Sequence, residues 1–168
     1  SLTVTSNNGC DVSLTQALTT IYAEPQAAFS APAEVCLGTA INFMDQSNAP
    51  GSTVAQWQWD FGDFTTSNAQ NPTKSYTAPG TYTVTLRIMS GIGCQSVSPT
   101  HIATHTVIVN ALPAANFSTS LPGCEGQGVT FTDGSAPNSG SIVKWTWNYG
   151  DAAGNTVLTS GAPFVHTY

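Results

Sequence analysis

Charge is scarce in this chain of 168 residues: three Lys or Arg and nine Asp or Glu amount to 7% of it, with a net charge of −6. So few basic groups exclude an electrostatic grip on DNA, RNA or anionic lipid. Long apolar runs are missing as well. Nothing approaches the roughly 18 residues needed to cross a bilayer, and the opening SLTVTSNNGC has neither the basic start nor the apolar core of a signal peptide. A soluble segment of something larger is expected. No window of about a dozen residues keeps a 3.6-residue apolar period without Pro, Gly or β-branched interruption, which leaves essentially no room for helix. Cys-x-x-Cys pairs, Gly-rich phosphate loops and nucleophile elbows are also absent, so the usual signatures of redox, nucleotide and acyl-transfer chemistry are lacking.

What is present favours strands. Hydrophobic residues make up 40% of the chain, enough for a core, while Thr, Ser, Asn and Gln keep the surface wet. Thr81 to Ile88, TYTVTLRI, alternates strictly: Tyr82, Val84, Leu86 and Ile88 share one face, and Thr81, Thr83, Thr85 and Arg87 the other. Shorter β-rich runs lie at Ile41–Phe43, Val54–Phe61, Val107–Val109 and Val129–Phe131, separated by turn sequences such as NAPGS, SNAQNP and APNSGS. Short strands at this spacing predict all-β sandwiches.

The chain repeats itself. Phe29, Cys36, Phe43, Asp45, Trp57, Trp59, Gly62 and Asp63 recur 88 positions later as Phe117, Cys124, Phe131, Asp133, Trp145, Trp147, Gly150 and Asp151. LTVTSNNGC at 2–10 matches LRIMSGIGC at 86–94, an offset of 84, and so represents a third copy seen from its other end. Pro-containing junctions follow, Glu24-Pro25 and Leu112-Pro113. The expected organisation is therefore residues 1–25 as the last strands of one domain, 26–112 as a complete domain, and 113–168 as the first part of another. Tyr168 aligns with Tyr76 and Ser1 with Thr85, a frame that cuts across the repeat and implies further copies.

Three stretches of the middle copy carry a family resemblance: WDFGD at 59–63, NPTKSY at 71–76 and PGTYTVTL at 79–86. Together they resemble the polycystic kidney disease (PKD) domain, whose hallmark is a W-x-F-G-D corner, then a Pro and a Tyr, then a Pro-Gly-x-Tyr-x-Val strand. The motif and core positions are Trp57, Trp59, Phe61, Gly62, Asp63, Tyr76, Pro79, Gly80 and Tyr82, with Trp145, Trp147, Tyr149, Gly150 and Asp151 in the following copy. That copy departs from the pattern, having Asn148 and Tyr149 for Asp and Phe and four extra residues before HTY at 166–168. The resemblance implies tandem seven-stranded, immunoglobulin-like β-sandwiches, one complete and two partial, of a kind found in extracellular and cell-surface proteins and often without catalytic activity.

The residues themselves agree. Trp57, Trp59 and Phe61 share a parity on one strand, so an aromatic core face is favoured over a sugar platform, and Gly62 and Asp63 suit the corner that follows. Cysteines fall into two classes in register: Cys36 and Cys124 precede an early strand, Cys10 and Cys94 follow the Pro-Gly-x-Tyr strand. A complete domain owns one of each, so a Cys36–Cys94 disulfide is expected, worth roughly 4 kcal/mol for a loop of this length. Cys10 and Cys124 would then find partners outside this segment; four free thiols in a cytosolic protein is the alternative.

Catalytic constellations fare poorly. Asp60 and Asp63 flank one tight corner and the second copy keeps only one carboxylate, which disfavours a glycosidase pair. His101 and His105, placed on one strand face, lie about 13 Å apart at strand rise, too far to share a metal. Asp45, Asp60 and Asp63 are weak candidates for calcium, with turn hydrogen bonding the stronger reading and no cofactor otherwise expected. His166 aligns near Lys74 and reads as an ordinary strand residue. The chain is thus expected to be a non-catalytic structural and adhesive module of an extracellular stalk or surface filament. Its partners would be neighbouring copies, covalently continuous or joined by strand complementation, with a glycan or protein as surface ligand. An accessory module of a secreted hydrolase, gripping carbohydrate or protein, is the alternative.

Overall fold

The computed structural model describes residues 1–17, 20–98, 101–120, 126–151 and 154–168. These form sixteen short strands, and no helix among them is long and apolar enough to cross a membrane. In chain order the strands are β1 (Leu2–Thr5), β2 (Asp11–Leu14), β3 (Phe29–Ser30), β4 (Glu34–Cys36), β5 (Ile41–Asn42), β6 (Met44–Asp45), β7 (Val54–Asp60) and β8 (Thr66–Ser67). There follow β9 (Thr73–Lys74), β10 (Gly80–Ser90), β11 (Ala103–Asn110), β12 (Phe117–Thr119), β13 (Gly128–Asp133), β14 (Trp145–Asn148), β15 (Asn155–Leu158) and β16 (Phe164–Thr167). The chain divides into two compact units, one of residues 1–30, 43–72 and 84–104, the other of residues 31–42, 73–83 and 105–168.

The largest sheet is ordered β4-β11-β10-β7-β8. Its longest strand carries the alternation of TYTVTLRI into burial: Val84, Leu86 and Ile88 are buried, Thr83 and Arg87 exposed. β7 runs antiparallel to β10 with Leu86 opposite Trp59 and Ile88 opposite Trp57, until a register shift between Met89 and Ser90. β4 lies parallel to β11. Shorter antiparallel pairs join β3 to β6 and β5 to β9.

In the first unit the core is an aromatic lattice. Trp59 and Phe43 are fully buried, with Phe61 almost so. Phe29 meets Trp59 edge-on with centroids 4.9 Å apart, and Phe43 lies 5.7 Å from Trp59 and 5.4 Å from Phe61. Each fully buried side chain of this size contributes about 1.5–3 kcal/mol. In the second unit β12, β13 and β16 form a three-stranded sheet and β14 pairs with β15. The lattice recurs there: Phe117 meets Trp147 edge-on at 5.2 Å, and Phe131 lies 5.7 Å from Trp147 and 5.6 Å from Tyr149.

The β1–β2 hairpin reproduces the end of β10 bond for bond. Ser6 donates its amide to the Cys10 carbonyl at 2.8 Å, as Ser90 does to Cys94, and the Cys10 and Cys94 amides return to the Ser6 and Ser90 hydroxyls at 3.2 and 3.1 Å. Thr5 pairs with Asp11 as Met89 pairs with Gln95. The offset of 84 read from sequence is therefore also an equivalence of turn structure.

The cysteines correct one expectation. Cys10, Cys36 and Cys94 are free thiols, so the Cys36–Cys94 disulfide is not formed. Cys36 is fixed opposite Asn110 at the end of β4, whereas Cys94 closes the turn after β10 on Ser90. Repeat register equates like positions of different copies, but a disulfide needs two Cα atoms within about 7 Å, which register does not address. Cys124 lies outside the described residues. His101 also differs from its expected place, lying in the turn before β11 rather than on a strand with His105.

Candidate functional site

The corner that joins β7 to β8 is where the sequence concentrates aromatics and carboxylates. Along β7, Trp57 and Trp59 turn inward while Gln56, Gln58 and Asp60 are exposed, as period-2 geometry requires. Trp59 donates its indole N–H to the Ala69 carbonyl at 2.8 Å, and Trp57 donates its own to Asp45 Oδ2 at 2.8 Å. Gly62 follows with φ of 76°, a left-handed conformation that glycine adopts without steric cost.

Each carboxylate here is engaged by its surroundings. Asp45 also accepts from the Ser47 amide at 3.0 Å and from Gln70 Nε2 at 3.2 Å, while its own amide donates to Asn71 Oδ1. Asp60 Oδ1 accepts the Gly62 amide at 2.9 Å. Asp63 Oδ1 accepts the Thr65 amide at 3.2 Å and the Thr65 hydroxyl. These are three separate turn-stabilising arrangements, and among the described residues no group of three His, Cys, Asp or Glu side chains could hold a metal ion. Tyr76, fully buried, stacks on Tyr82 at 4.0 Å, and the Tyr82 hydroxyl donates to the Ala78 carbonyl at 2.9 Å. Pro79 and Gly80 are exposed at the start of β10.

The following copy builds the same corner with small changes. The Gly150 amide donates to Asn148 Oδ1 at 2.9 Å, with φ of 79° at Gly150, so Asn148 replaces Asp60 in the same turn. Asp133 stands where Asp45 does, and the Ser135 amide reaches it at 3.1 Å. The Ser135 hydroxyl and amide hold its carboxyl below the usual range, against partial desolvation, with the Trp145 indole adding to them. That indole nitrogen lies outside hydrogen-bonding geometry, and so does that of Trp147, although both are buried. Asp151 pairs with His166 Nε2 at 2.7 Å, and the His166 ring stacks on Tyr149 at 3.8 Å.

Two further features were missed in the sequence. The Glu24 carboxylate gathers the Val97 and Ser98 amides and, at 3.1 Å, His101 Nδ1. The Ser98 amide first, then His101 and the Val97 amide, hold its carboxyl below the ordinary range, partly opposed by desolvation. The second feature is a cleft of about 470 Å³ lined by Gln56, Trp57, Gln58, Asn68, Arg87 and Gln95 among others. The period-2 parity of β7 puts Gln56 and Gln58 on its outward face, where Arg87 joins them from β10, and Asn68 and Gln95 from the segments just after β8 and β10.

A profile of the PKD domain family matches residues 22–107, just over half of the chain. The chain belongs to that family. The matched span includes the corner, Tyr76, and the Pro79-Gly80-x-Tyr82 strand described above. This PKD chain is similar to the microbial collagenase of Vibrio alginolyticus, 34% identical over 89 residues that make up 52% of the chain and 10% of the collagenase. It is also similar to the pre-pro-metalloprotease PrtV of Vibrio cholerae, 33% identical over 131 residues, 77% of the chain and 13% of PrtV. The chain thus spans only about a tenth of the length of these curated relatives. Among solved structures it is similar to the PKD1 domain of Vibrio cholerae PrtV, with 29% identity over 52% of this chain and 98% of that one and a TM-score of 0.45. A structure described for carbohydrate-binding modules of the β-sandwich superfamily shares 23% identity over 82% of this chain and 54% of its own, with a TM-score of 0.51, a likeness of fold alone.

Proposed function

We propose that this PKD chain is a non-catalytic structural segment of an extracellular protein, one stretch of a stalk or surface filament with an adhesive role at the cell surface. Seven-stranded sandwiches bounded near residues 1–25, 26–112 and 113–168 would be its modules, and neighbouring copies its first partners. The observation that carries this reading is what the repeat keeps and what it changes. Aromatic centroid distances agree to a few tenths of an ångström between the two copies, and the Asp45 and Asp133 turns keep the same Ser amide bond. Exposed positions on or beside the tryptophan strand do change: Gln56 and Gln58 become Lys144 and Thr146. A chain that holds its core constant while its outward side chains vary behaves as a scaffold, whereas a reaction centre needs its polar groups held constant.

A second reading, an accessory module of a secreted hydrolase, is supported by the amide-lined cleft of the first unit and by the similarity to a collagenase and a metalloprotease. Side-chain amides with one arginine and one indole edge can meet sugar hydroxyls or peptide groups. The two readings separate in a sedimentation assay with insoluble collagen, cellulose and chitin. The structural reading expects the purified chain to stay in the supernatant with each. Co-sedimentation that is lost in the Gln58→Ala, Arg87→Ala double variant overturns it in favour of the accessory module.

A further inference from the structure

The outward face of the largest sheet carries a cleft whose lining follows from strand register. Gln58 stands opposite Arg87, and Met89 stands between Gln56 on one side and Gln95 on the other. Residues directly opposite one another share a face, and period-2 parity sets that face away from Trp59 and Leu86, which are buried. With Asn68 these residues line the cleft of about 470 Å³. All of them lie in the first unit and within the span 22–107 that matches the PKD family.

What the lining holds and what it omits both bear on a ligand. It holds one guanidinium, of Arg87, and four side-chain amides, of Gln56, Gln58, Asn68 and Gln95; among the described residues none of these five groups has a hydrogen bond or ion pair. It omits carboxylates. Asp60, two positions beyond Gln58 on the same face, lies outside the lining and accepts the Gly62 amide. Glu24, which meets Val97 at the rim, is engaged by the Val97 and Ser98 amides and by His101. A ligand that covers Arg87 must therefore bring its own negative charge, because desolvating an unpaired guanidinium is unfavourable. The planar fork of arginine matches a carboxylate through two parallel hydrogen bonds. The amides, each both donor and acceptor, match hydroxyl groups, which are both as well. Carboxylate and hydroxyls occur together on the ring of an acidic sugar, whereas an acidic peptide supplies the first with few of the second.

We propose that this cleft binds a carboxylate-bearing glycan. Arg87 receives the carboxylate of one uronate unit, and the amides hold the hydroxyls of that ring and its neighbours. Arg87 and Gln58 have Cβ atoms about 5 Å apart and Gln56 follows Gln58 at about 7 Å along the strand, spacings that adjoining pyranose rings can span. Neighbouring copies carry Thr3, Lys144 and Thr146 where this one has Arg87, Gln56 and Gln58, so the recognition belongs to this copy and not to the sandwich as such. The inference rests on the adhesive role proposed above. Sedimentation with collagen, cellulose and chitin, none of them an acidic glycan, tests that reading separately.

The test titrates the isotope-labelled chain with a short oligogalacturonate, with the same oligosaccharide after reduction of its carboxyls to alcohols, and with tetra-aspartate, following backbone amides by NMR. Expected is saturable binding of the oligogalacturonate, with shifted amides clustered at residues 56–58, 87–89 and 95–97. The reduced oligosaccharide and tetra-aspartate should each bind at least about tenfold more weakly. Arg87→Gln should also weaken oligogalacturonate binding by at least about tenfold, and Gln58→Ala by about threefold. Lys144→Gln, which removes a cation from the second unit, should leave binding unchanged. Arg87 and Gln58 are exposed, and amide shifts that stay in place outside the cleft verify that each variant folds. Absence of binding overturns the inference, as does equal affinity for the reduced oligosaccharide or tetra-aspartate. Binding that survives Arg87→Gln, or that is lost in Lys144→Gln, overturns it too.

Discussion

Trp59 and Trp147 occupy the same place in two copies 88 residues apart, each edge-on to a phenylalanine at close to 5 Å. Their surroundings differ. Trp59 donates its N–H to Ala69 and is sealed by the strand that carries Leu86; Trp147 has a buried N–H without a partner among the described residues and is only half-covered. The lattice of rings is thus set by residues within about 35 positions of one another, while its sealing requires a strand pairing from further along the chain. Packing geometry and packing energy are separable here: the first recurs in the second unit almost unchanged, and the second does not.

Alanine substitution should expose that difference most strongly. Trp59→Ala removes a fully buried indole and should destabilise the first unit by about 3–5 kcal/mol. Trp147→Ala removes a half-exposed side chain whose N–H already lacks a partner, and should cost about 1–3 kcal/mol, confined to β12–β16. Denaturant unfolding with hydrogen exchange resolved by strand measures both. Equal losses would show that the second unit is as well sealed as the first and would remove the basis of the contrast.

The lattice was legible in the sequence because its signals are local. Period-2 alternation in TYTVTLRI, shared parity of Trp57, Trp59 and Phe61, and a fixed repeat offset all follow from strand geometry alone. Contacts between distant segments were not legible. The Cys36–Cys94 bond was expected from repeat register, but each cysteine is held by a different backbone neighbour. Asp45 reads as a lone acidic residue, yet it draws in Trp57 and Gln70 from 12 and 25 positions away. His166 read as an ordinary strand residue and turns out to pair with Asp151. A signal for that pair was available, since the same two repeat positions carry a basic and an acidic residue, Lys74 and Asp63, in the complete copy.

The two Pro junctions offer a second contrast, sensitive to pH. Pro25 is fully buried and Glu24 beside it binds Val97, Ser98 and His101. At the other junction Leu112 and Pro113 are exposed, and the Leu112 carbonyl accepts Asn138 Nδ2 at 2.9 Å with no carboxylate involved. Because folding lowers the Glu24 pKa, its contribution is present in full above the unfolded value near about 4.3 and is lost as the pH falls below that value and through the folded one. Acidification from pH 7 to 3 should therefore speed exchange of the Val97 and Ser98 amides relative to the intrinsic rate and leave the Leu112 junction unaffected. Glu24→Gln should abolish the difference between the two pH values. Equal loosening of both junctions, or a pH response that persists in the variant, would mean that Glu24 does not hold the first one.

The smallest expected effect addresses the carboxylate that first suggested chemistry. Asp60 and Asn148 make the same bond to a glycine amide at 2.9 Å, with φ of 76° and 79° at the two glycines. The turn therefore uses an oxygen acceptor and is indifferent to its charge. Asp60→Asn should change stability by no more than about 0.5 kcal/mol, whereas Asp60→Ala, which deletes the acceptor, should cost about 0.5–1.5 kcal/mol. Calcium supplies the sharper arm of this comparison. If Asp60 serves only the turn, added calcium shifts the unfolding midpoint of the wild-type chain and of Asp60→Asn equally or not at all. A calcium-dependent stabilisation lost in Asp60→Asn would mean that the charge has a task in the first copy that the second has given up, and that Asp45, Asp60 and Asp63 come together around an ion.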